Sequence, residues 1–508
     1  MTSLVLRPQS CPPVNSVEVA ARAGAEHRGA QVSLTGITNR SGEVQPGDLY
    51  VGVRGSRAHG AQFAAEAVAS GAVAVLTDLD GLDIAGDLGV PVLVASDVRR
   101  ATGPASAAVY GDPSRRLTML GITGTSGKTT TAYMVRAILQ AAGRPSGLLG
   151  TVETIIGEEH VGHAAGAALT TPEAPELQAL LAVMVERGIG TVVMEVSSHS
   201  LQLRRVDGIE YAVAAFLNLS QDHLDFHDGM EDYFAAKSLL FDGRARTHVI
   251  NVDDDWATRL AETGRRTVRV SPAGRQAADW RIEGAVAGSS AGSAFVAVGP
   301  DGRRHEVLLS LPGDFNADNA VMAMAIAAEA GVAADLAAGA LREVRVPGRM
   351  ERVDAGQPFL AVVDYSHKPA AVEAALRSVR DQVTGRVLLV LGCGGDRDAA
   401  KRPLMGAVGA RDADLLVITD DNPRSEDPAA IRSAMLRGVQ EVPQSQRGEV
   451  VEIGDRAAAI RHAVRAARDG DVVLVAGKGH ETGQYVGGVV HEFDDRAALR
   501  QAIAEREA

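Results

Sequence analysis

Five of the 51 basic residues in this 508-residue chain are lysine, and the other 46 are arginine. The five, Lys128, Lys237, Lys368, Lys401 and Lys478, all lie in segments marked by Gly, Asp or His. A chain that builds its surface charge from Arg keeps Lys where a compact ammonium, or an amine able to lose its proton, is needed. A guanidinium does neither. Lys128 carries the plainest message. It belongs to Gly121-Ile-Thr-Gly-Thr-Ser-Gly-Lys-Thr-Thr130, directly after the apolar run 117–120. A strand, a Gly-rich loop and a helix start in that order wrap a nucleotide triphosphate. Backbone N–H groups of Gly124, Thr125, Ser126 and Gly127 close on phosphate oxygens, the helix start at Thr129 and Thr130 adds partial positive charge, and the ammonium reaches the outer phosphates. The Thr129 hydroxyl suits Mg²⁺. The Gly-x₄-Gly-Lys-Ser/Thr spacing is missed by one residue, because the first glycine falls at 121.

Further along, the apolar stretch 191–194 ends in Glu195, where a strand-end carboxylate could join the same cation. His223 and His227 stand four apart in Asp222-His-Leu-Asp-Phe-His227, a spacing that invites zinc, but no neighbouring Glu completes a His-Glu-x-x-His pattern. Three segments in the last third each follow an apolar run: Gly392-Cys-Gly-Gly-Asp-Arg397, with Lys401 beyond it; Asp421-Asn-Pro-Arg424; and Gly477-Lys-Gly-His-Glu481. At the ends of parallel strands they would line one crevice offering Arg, Arg and Glu. A structural ion-pair cluster is the plainer alternative. Cys393 has no base beside it and is not read as a nucleophile.

The elements that must position these residues fall into three blocks. Residues 1–113 mix short strands with helices, including a helix over 59–69. Residues 114–346 open on the nucleotide strand, contain strands that look antiparallel over 267–310, and close on an Ala-rich helical stretch over 317–344. Residues 347–508 alternate strand and helix, which implies a parallel sheet. The fold class expected is α/β in three domains: a small N-terminal α/β domain, a central P-loop ATPase-type domain with a mostly parallel sheet, and a C-terminal Rossmann-like domain. The chain is 46% hydrophobic and carries a net charge of −13. That charge argues against a nucleic-acid partner, though not against an anionic substrate in a basic pocket. Two distant cysteines make no disulfide framework and suit a reducing cytosol. No leader pattern and no membrane-length apolar run is read, so a cytoplasmic protein is expected.

Taken together, Gly124-Thr-Ser-Gly-Lys-Thr129, Thr170-Thr-Pro172, Glu195-Val-Ser-Ser-His199, the 222–227 segment, Lys237, Asn316-Ala-Asp-Asn319, Pro347-Gly-Arg349 and Asp364-Tyr-Ser-His367 resemble the Mur ligase family, ATP-dependent peptide synthetases of cell-wall precursors. The likeness covers nearly the whole chain. It implies that Thr129 and Glu195 hold Mg²⁺ on the ATP phosphates, and that His223 and Lys237 hold a second Mg²⁺. In this family the lysine at the Lys237 position is carbamylated by CO₂ to N6-carboxylysine. It also implies ATP contacts from Asn316, Asn319, Arg349 and Asp364, with domain closure completing the site, and muramoyl-peptide contacts from Ser41, Thr170, Thr171, Ser197 and Arg205. Lys128, Lys237, His223 and Arg349 are the expected catalytic set.

Asp421-Asn422-Pro423-Arg424 resembles the family signature for diaminopimelate, with Arg397, Gly477 and Glu481 joining it. Diaminopimelate is lysine with a second carboxylate, which Arg424 can meet bidentately while Glu481 meets the neighbouring ammonium. The implied substrates are ATP, diaminopimelate and UDP-N-acetylmuramoyl-L-Ala-D-Glu, acted on by a monomer through an acyl phosphate. Departures from the pattern cluster in the first block. Arg40 and Gly42 flank Ser41 where an acid and an Arg are usual, Ser126 stands for Asn, and Leu203 for Gln. A folylpolyglutamate synthetase, a lysine-adding sister, a non-catalytic nucleotide binder and a P-loop motor are the alternatives weighed.

Overall fold

Runs of β-branched and aliphatic residues bounded by Gly and Asp become the strands. Many helices start where a short polar side chain accepts an unpaired N–H of the first turn, or where a proline, having no N–H, leaves one fewer to satisfy. The computed structural model describes residues 6–55, 58–161, 169–224, 226–261, 266–289 and 292–507, so Asp225 of the 222–227 segment lies outside it.

The chain sorts into two compact units. The first comprises residues up to Ser271 with Arg275–Asp279 and Met322–Ala333; the second comprises Pro272–Gly274, Trp280–Val321 and the chain from Ala334 on. In the first unit, helix α1 (Ser16–Ala23) precedes strands β1 (Glu26–Arg28), β2 (Gly36–Thr38), β3 (Asp48–Val51), β4 (Ala74–Thr77) and β5 (Val92–Val94), then helix α2 (Val98–Val109). These strands order β1-β5-β4-β3-β2, with only the β1–β5 pair antiparallel. The expected 59–69 helix is instead a 3₁₀ turn, Gly60–Phe63, followed by the α-helical Ala64–Ala69. His59 Nδ1 accepts the Ala61 N–H at 3.1 Å, and Gly60 packs tightly against Val53, which holds the tighter turn.

The same unit continues with β6 (Thr118–Thr123), α3 (Lys128–Ala141), β7 (Ser146–Leu149), the hairpin β8 (Thr154–Ile156) and β9 (Glu159–Val161), α4 (Ala174–Glu186), β10 (Thr191–Glu195), α5 (Ser198–Gln202), β11 (Tyr211–Phe216), α6 (Met230–Ser238), β12 (Ala245–Asn251) and β13 (Arg266–Ser271). Their order is β9-β8-β7-β10-β6-β11-β12-β13. From β7 to β13 every neighbouring pair is parallel. The central strands β10, β6 and β11 are buried almost throughout and are mainly apolar, whereas β12 and β13 toward the edge keep arginines at exposed positions. The C-terminal ends of β7, β10, β6 and β11 therefore open side by side.

In the second unit, β14 (Trp280–Ser289), β15 (Gly292–Val298) and β16 (Arg304–Leu309) form an antiparallel ribbon. The antiparallel pairing expected over 267–310 holds here and not at the start of that stretch, where β13 extends the parallel sheet beside β12. The Ala-rich stretch is α7 (Asp314–Glu329), whose residues from Met322 on belong to the first unit, and a separate short helix, Ala334–Ala340, divided at Gly331, whose φ of +82° a helix does not accept. Then come β17 (Glu351–Arg352), β18 (Leu360–Asp364), α8 (Pro369–Arg380), β19 (Val387–Cys393), α9 (Lys401–Asp412), β20 (Leu415–Asp420), α10 (Pro428–Glu441), β21 (Glu449–Glu452), α11 (Arg456–Ala466), β22 (Val472–Ala476), the hairpin β23 (Gly483–Val486) and β24 (Val489–Glu492), and α12 (Asp495–Glu507). The sheet order is β17-β18-β22-β19-β20-β21, parallel apart from β17. Asp427 and Asp455 cap α10 and α11 through their carboxylates. Among the described residues no helix is long and apolar enough to cross a membrane.

Candidate active site

Gly121 sits inside β6, and a Cβ there would lie 2.7 Å from Cε1 of Tyr211 on β11. Its smallness serves packing, which explains the one-residue mismatch in the loop pattern. The loop glycines are Gly124 and Gly127, at φ 154° and 86°. Lys128 folds back over the loop, its Nζ donating to the carbonyls of Gly124 at 2.9 Å and Thr125 at 3.2 Å. Asn218, just past β11, braces Ser126 from both sides: it accepts the Ser126 N–H at 2.9 Å and donates to the Ser126 carbonyl at 3.1 Å. Thr125 and Thr130 are buried beside it.

Glu195 ends β10 next to Ile122 of β6 and is buried. Its Oε2 accepts from the Thr129 hydroxyl at 2.9 Å, and its Oε1 accepts the Thr151 N–H at 2.9 Å. Thr151 Oγ1 lies 3.0 Å from both Glu195 Oε2 and Thr170 Oγ1. A Cβ on Gly150 would come within 2.4 Å of Glu195 Oε1, so glycine keeps that side of the carboxylate open. Hydroxyl and carboxylate oxygens grouped at the phosphate loop are the donor set a hard divalent cation takes, and Mg²⁺ fits it.

Lys237, on α6, is 1% exposed. Its Nζ donates to the same Gly124 carbonyl at 2.9 Å and stands 4.6 Å from the centre of the Tyr233 ring. The two amines, Lys128 and Lys237, thus converge on one oxygen. His223 flanks Tyr233 from another direction, with ring centres 6.1 Å apart. It holds φ 53°, and its Nε2 is 3.1 Å from Asp222 Oδ2. His227 is different: it is buried, with Nε2 3.0 Å from the Ser198 hydroxyl and Nδ1 3.2 Å from Asp232 Oδ2. With both ring nitrogens engaged it is no partner for His223 on a zinc ion.

Of the expected peptide-side residues, Thr171 is buried and donates to the Glu195 carbonyl at 2.9 Å. Ser197 caps α5 by accepting the Ser200 N–H at 3.1 Å, and Arg205 Nε lies 2.8 Å from Glu173 Oε1. Ser41 opens a 3₁₀ turn. Next to it Arg40 donates to Glu43 at 2.9 Å and, with Arg7, Asn39, Tyr110 and Glu176, lines a small pocket. Burial raises the Glu176 carboxyl above its ordinary range.

In the second unit, Asn316 and Asn319 are both buried on α7. Asn316 donates to the Pro312 carbonyl at 2.7 Å and accepts from Asn319 at 3.4 Å. The Arg349 guanidinium lies 4.1 Å from the centre of the Tyr365 ring. Asp364 organises this corner. Its Oδ2 accepts the Met350 N–H at 2.7 Å, and its Oδ1 accepts the N–H of Ser366 at 2.8 Å as well as the Ser366 hydroxyl. A Cβ on Gly348 would lie 2.1 Å from the His480 nitrogen, and one on Gly479 would lie 2.7 Å from the Gly348 carbonyl. The Arg349 loop and the 477–481 loop therefore abut backbone to backbone.

Strand ends β19, β20 and β22 bring the three remaining loops together. Asn422 Nδ2 donates to Glu481 Oε2 at 2.8 Å, and Lys478 Nζ donates to Asn422 Oδ1 at 2.9 Å. Arg424 adopts φ 54°, with its N–H donating to the Tyr485 carbonyl at 2.8 Å and its guanidinium to the Gly395 carbonyl at 2.7 Å. Gly477, at φ 118°, leaves room for Asp421, whose Oδ2 a Cβ would approach to 3.2 Å. Pro423 is buried and Arg397 exposed. Burial pushes the Cys393 thiol up to about 12, which keeps it protonated and inert. Sequence reasoning missed Thr151, Tyr233 and the bracing by Asn218. The sheet order, with β11 beside the loop strand β6 and β7 beside β10, the strand that carries Glu195, would have singled out the first and last.

Three family models cover the chain: the Mur ligase family catalytic domain over residues 33–110, the Mur ligase middle domain over 122–327, and the Mur ligase glutamate ligase domain over 348–479. The chain belongs to the Mur ligase family of ATP-dependent ligases. It is 50% identical over 491 residues, 96% of each chain, to the UDP-N-acetylmuramoyl-L-alanyl-D-glutamate--2,6-diaminopimelate ligase of Streptomyces avermitilis. It is 48% identical to the protein of the same name from Corynebacterium glutamicum, covering 96% of this chain and 95% of that one. A solved structure of a ligase of that name superposes with TM-score 0.66 at 30% identity, over 94% of this chain and 96% of the other. A folylpolyglutamate synthase from Mycobacterium tuberculosis, solved with ADP, shares the fold at TM-score 0.60 and 20% identity, over 75% of this chain and 92% of its own.

Proposed function

We propose that this enzyme joins diaminopimelate to UDP-N-acetylmuramoyl-L-alanyl-D-glutamate at the expense of ATP, in the cytoplasm and as a monomer, with domains over 1–113, 114–346 and 347–508. The observation that carries the reading is the Asp421-Asn-Pro-Arg424 loop gathered against Glu481 at the strand ends, an Arg and a carboxylate held for the two ends of an amino acid's far amino-carboxylate group. The relatives' names support the same substrate pair.

In the mechanism, the γ-carboxylate of the D-glutamyl residue attacks the γ-phosphorus of ATP, and ADP departs. The acyl phosphate so formed is attacked by an amine of diaminopimelate, and the tetrahedral adduct expels phosphate to leave the amide. The loop amides from Gly124 to Gly127 hold the phosphates, while Lys128 spreads the charge that develops on the transferred group. Thr129 and Glu195 would hold one Mg²⁺, His223 and the Lys237 carbamate a second; bound there, the ions neutralise phosphate and carboxylate charge. The Lys237 amine in its neutral form would add CO₂ through a new N–C bond and release one proton to solvent, giving a carbamate whose anionic oxygens the Lys128 ammonium attracts. Positioning and charge neutralisation do most of the work, so no strong general base is required.

The test is phosphate release with ATP, Mg²⁺ and the muramoyl dipeptide, offering meso-diaminopimelate, LL-diaminopimelate and L-lysine in parallel. Turnover with a diaminopimelate and not with lysine is expected. Turnover with lysine alone would refute the crevice reading while leaving the ligase.

A further inference from the structure

Lys478 is fully buried, yet it lies in a loop at the mouth of the crevice. Its Nζ donates to Asn422 Oδ1 at 2.9 Å and to Glu481 Oε2 at 3.4 Å, and lies 3.5 Å from Asp421 Oδ1. No other hydrogen-bond donor among the described residues reaches that Asp421 oxygen. Asn422 Oδ1 also accepts the Tyr485 N–H at 3.1 Å, so both its lone pairs are taken within the protein. The Asn422 amide already spends one hydrogen on Glu481. Asn422 is thereby a brace more than a substrate acceptor, and the groups left to face an amino acid are Glu481, Asp421 and Arg424.

A buried ammonium so placed is a fixed internal charge. Desolvating a lysine is expensive unless carboxylates and hydrogen bonds compensate it, and here two carboxylates and one amide oxygen do so. The converse matters more for function. Glu481 and Asp421 would otherwise be two carboxyl groups sharing a buried corner, and one would take up a proton. Resting on the diaminopimelate reading of this crevice, we propose that Lys478 is a positioning residue: it fixes the orientation of Glu481 through Asn422 and keeps Glu481 ionised, so that the crevice accepts the substrate's distal ammonium.

The charged groups around the Glu481 carboxyl are Asp421 from the β20 loop, Lys478 from its own loop, and Arg456 from the start of α11. Burial first and Asp421 second push Glu481 above the ordinary carboxylate range, while Lys478 opposes them. Removing the ammonium pushes it higher still. Ionised Glu481 then persists only at higher pH, and the acid limb of kcat/KM for diaminopimelate moves up.

The experiment measures KM and kcat for diaminopimelate and for ATP against pH, in the full-length enzyme and in K478M, K478R, E481Q and K478M/E481Q. K478M is expected to raise KM for diaminopimelate at least ~10-fold at neutral pH, with partial recovery at alkaline pH and with KM for ATP unchanged. The double variant is expected to match E481Q, because Lys478 acts through that carboxylate. K478R, which keeps the charge, is expected to leave the acid limb in place and provides the comparison should K478M fold poorly. If E481Q raises KM while K478M or K478R changes kcat and both KM values alike, the lysine is merely structural and the proposal fails. If E481Q itself leaves KM for diaminopimelate unchanged, the crevice reading fails first and takes this proposal with it.

Discussion

Lys128 and Lys237 donate to one carbonyl oxygen, so their amines stand within twice a hydrogen-bond length of each other. Lys237 is the more buried of the two, and a carbamate on it is the proposed oxygen donor. Lys237→Ala and Lys237→Arg are both expected to lower kcat by roughly 100-fold or more, since neither can form a carbamate. Added formate or acetate should restore part of the alanine variant's phosphate release and none of the arginine variant's. Arg424→Ala should cost about 2–5 kcal/mol of diaminopimelate recognition, roughly 30- to several-thousand-fold, and narrow the preference over lysine. Competition between the two amino acids in one phosphate-release assay reads that ratio. The residues proposed for these roles stood out in the sequence because each motif is contiguous and each residue type suits the chemistry proposed for it. Lys478 was visible only as a rare lysine. The acceptor that gives it meaning stands 56 positions earlier in the chain, and no local pattern joins them.

At the scale of elements, the junction of β6 with its loop separates two kinds of glycine. Gly121→Ala puts a methyl into the Tyr211 ring and should lower stability by about 1–3 kcal/mol, seen as a lower melting temperature, with ATP affinity of the folded protein retained. Tyr211→Leu in the same chain should recover part of the loss. Gly127→Ala instead strains a left-handed position at the phosphates and should weaken ATP binding by more than it lowers melting temperature. From sequence the two glycines look alike, and only the facing strand distinguishes them. The α/β alternation was legible because parallel strands buried on both faces read as unbroken apolar runs. The 59–69 segment was not, since a histidine side chain capping a tight turn leaves the same composition as a helix. In the second unit, α11 is tied to α12 by the fully buried Arg456–Asp495 pair, Nε to Oδ1 at 2.7 Å. Arg456→Met alone should cost about 3–5 kcal/mol, and Arg456→Met with Asp495→Leu much less, because the single change strands a buried charge. Urea unfolding of both variants measures the difference.

Across the whole molecule, a net charge of −13 coexists with 46 arginines, some of the surface ones held in pairs such as Arg187–Glu159 and Arg259–Glu231. The acidic balance agrees with small anionic substrates drawn in by local basic loops and not by a basic face. None of the five lysines is exposed: Lys237 and Lys478 are buried, and Lys128, Lys368 and Lys401 are half-buried, all five in or beside the candidate site's loops. Amine-acylating reagents and lysine-directed cross-linkers therefore find almost no lysine targets on the native surface. Uptake of label becomes a readout of the catalytic loops themselves. Native protein should take up little label, ATP should shield Lys128 specifically, and all five sites should react once the chain is unfolded.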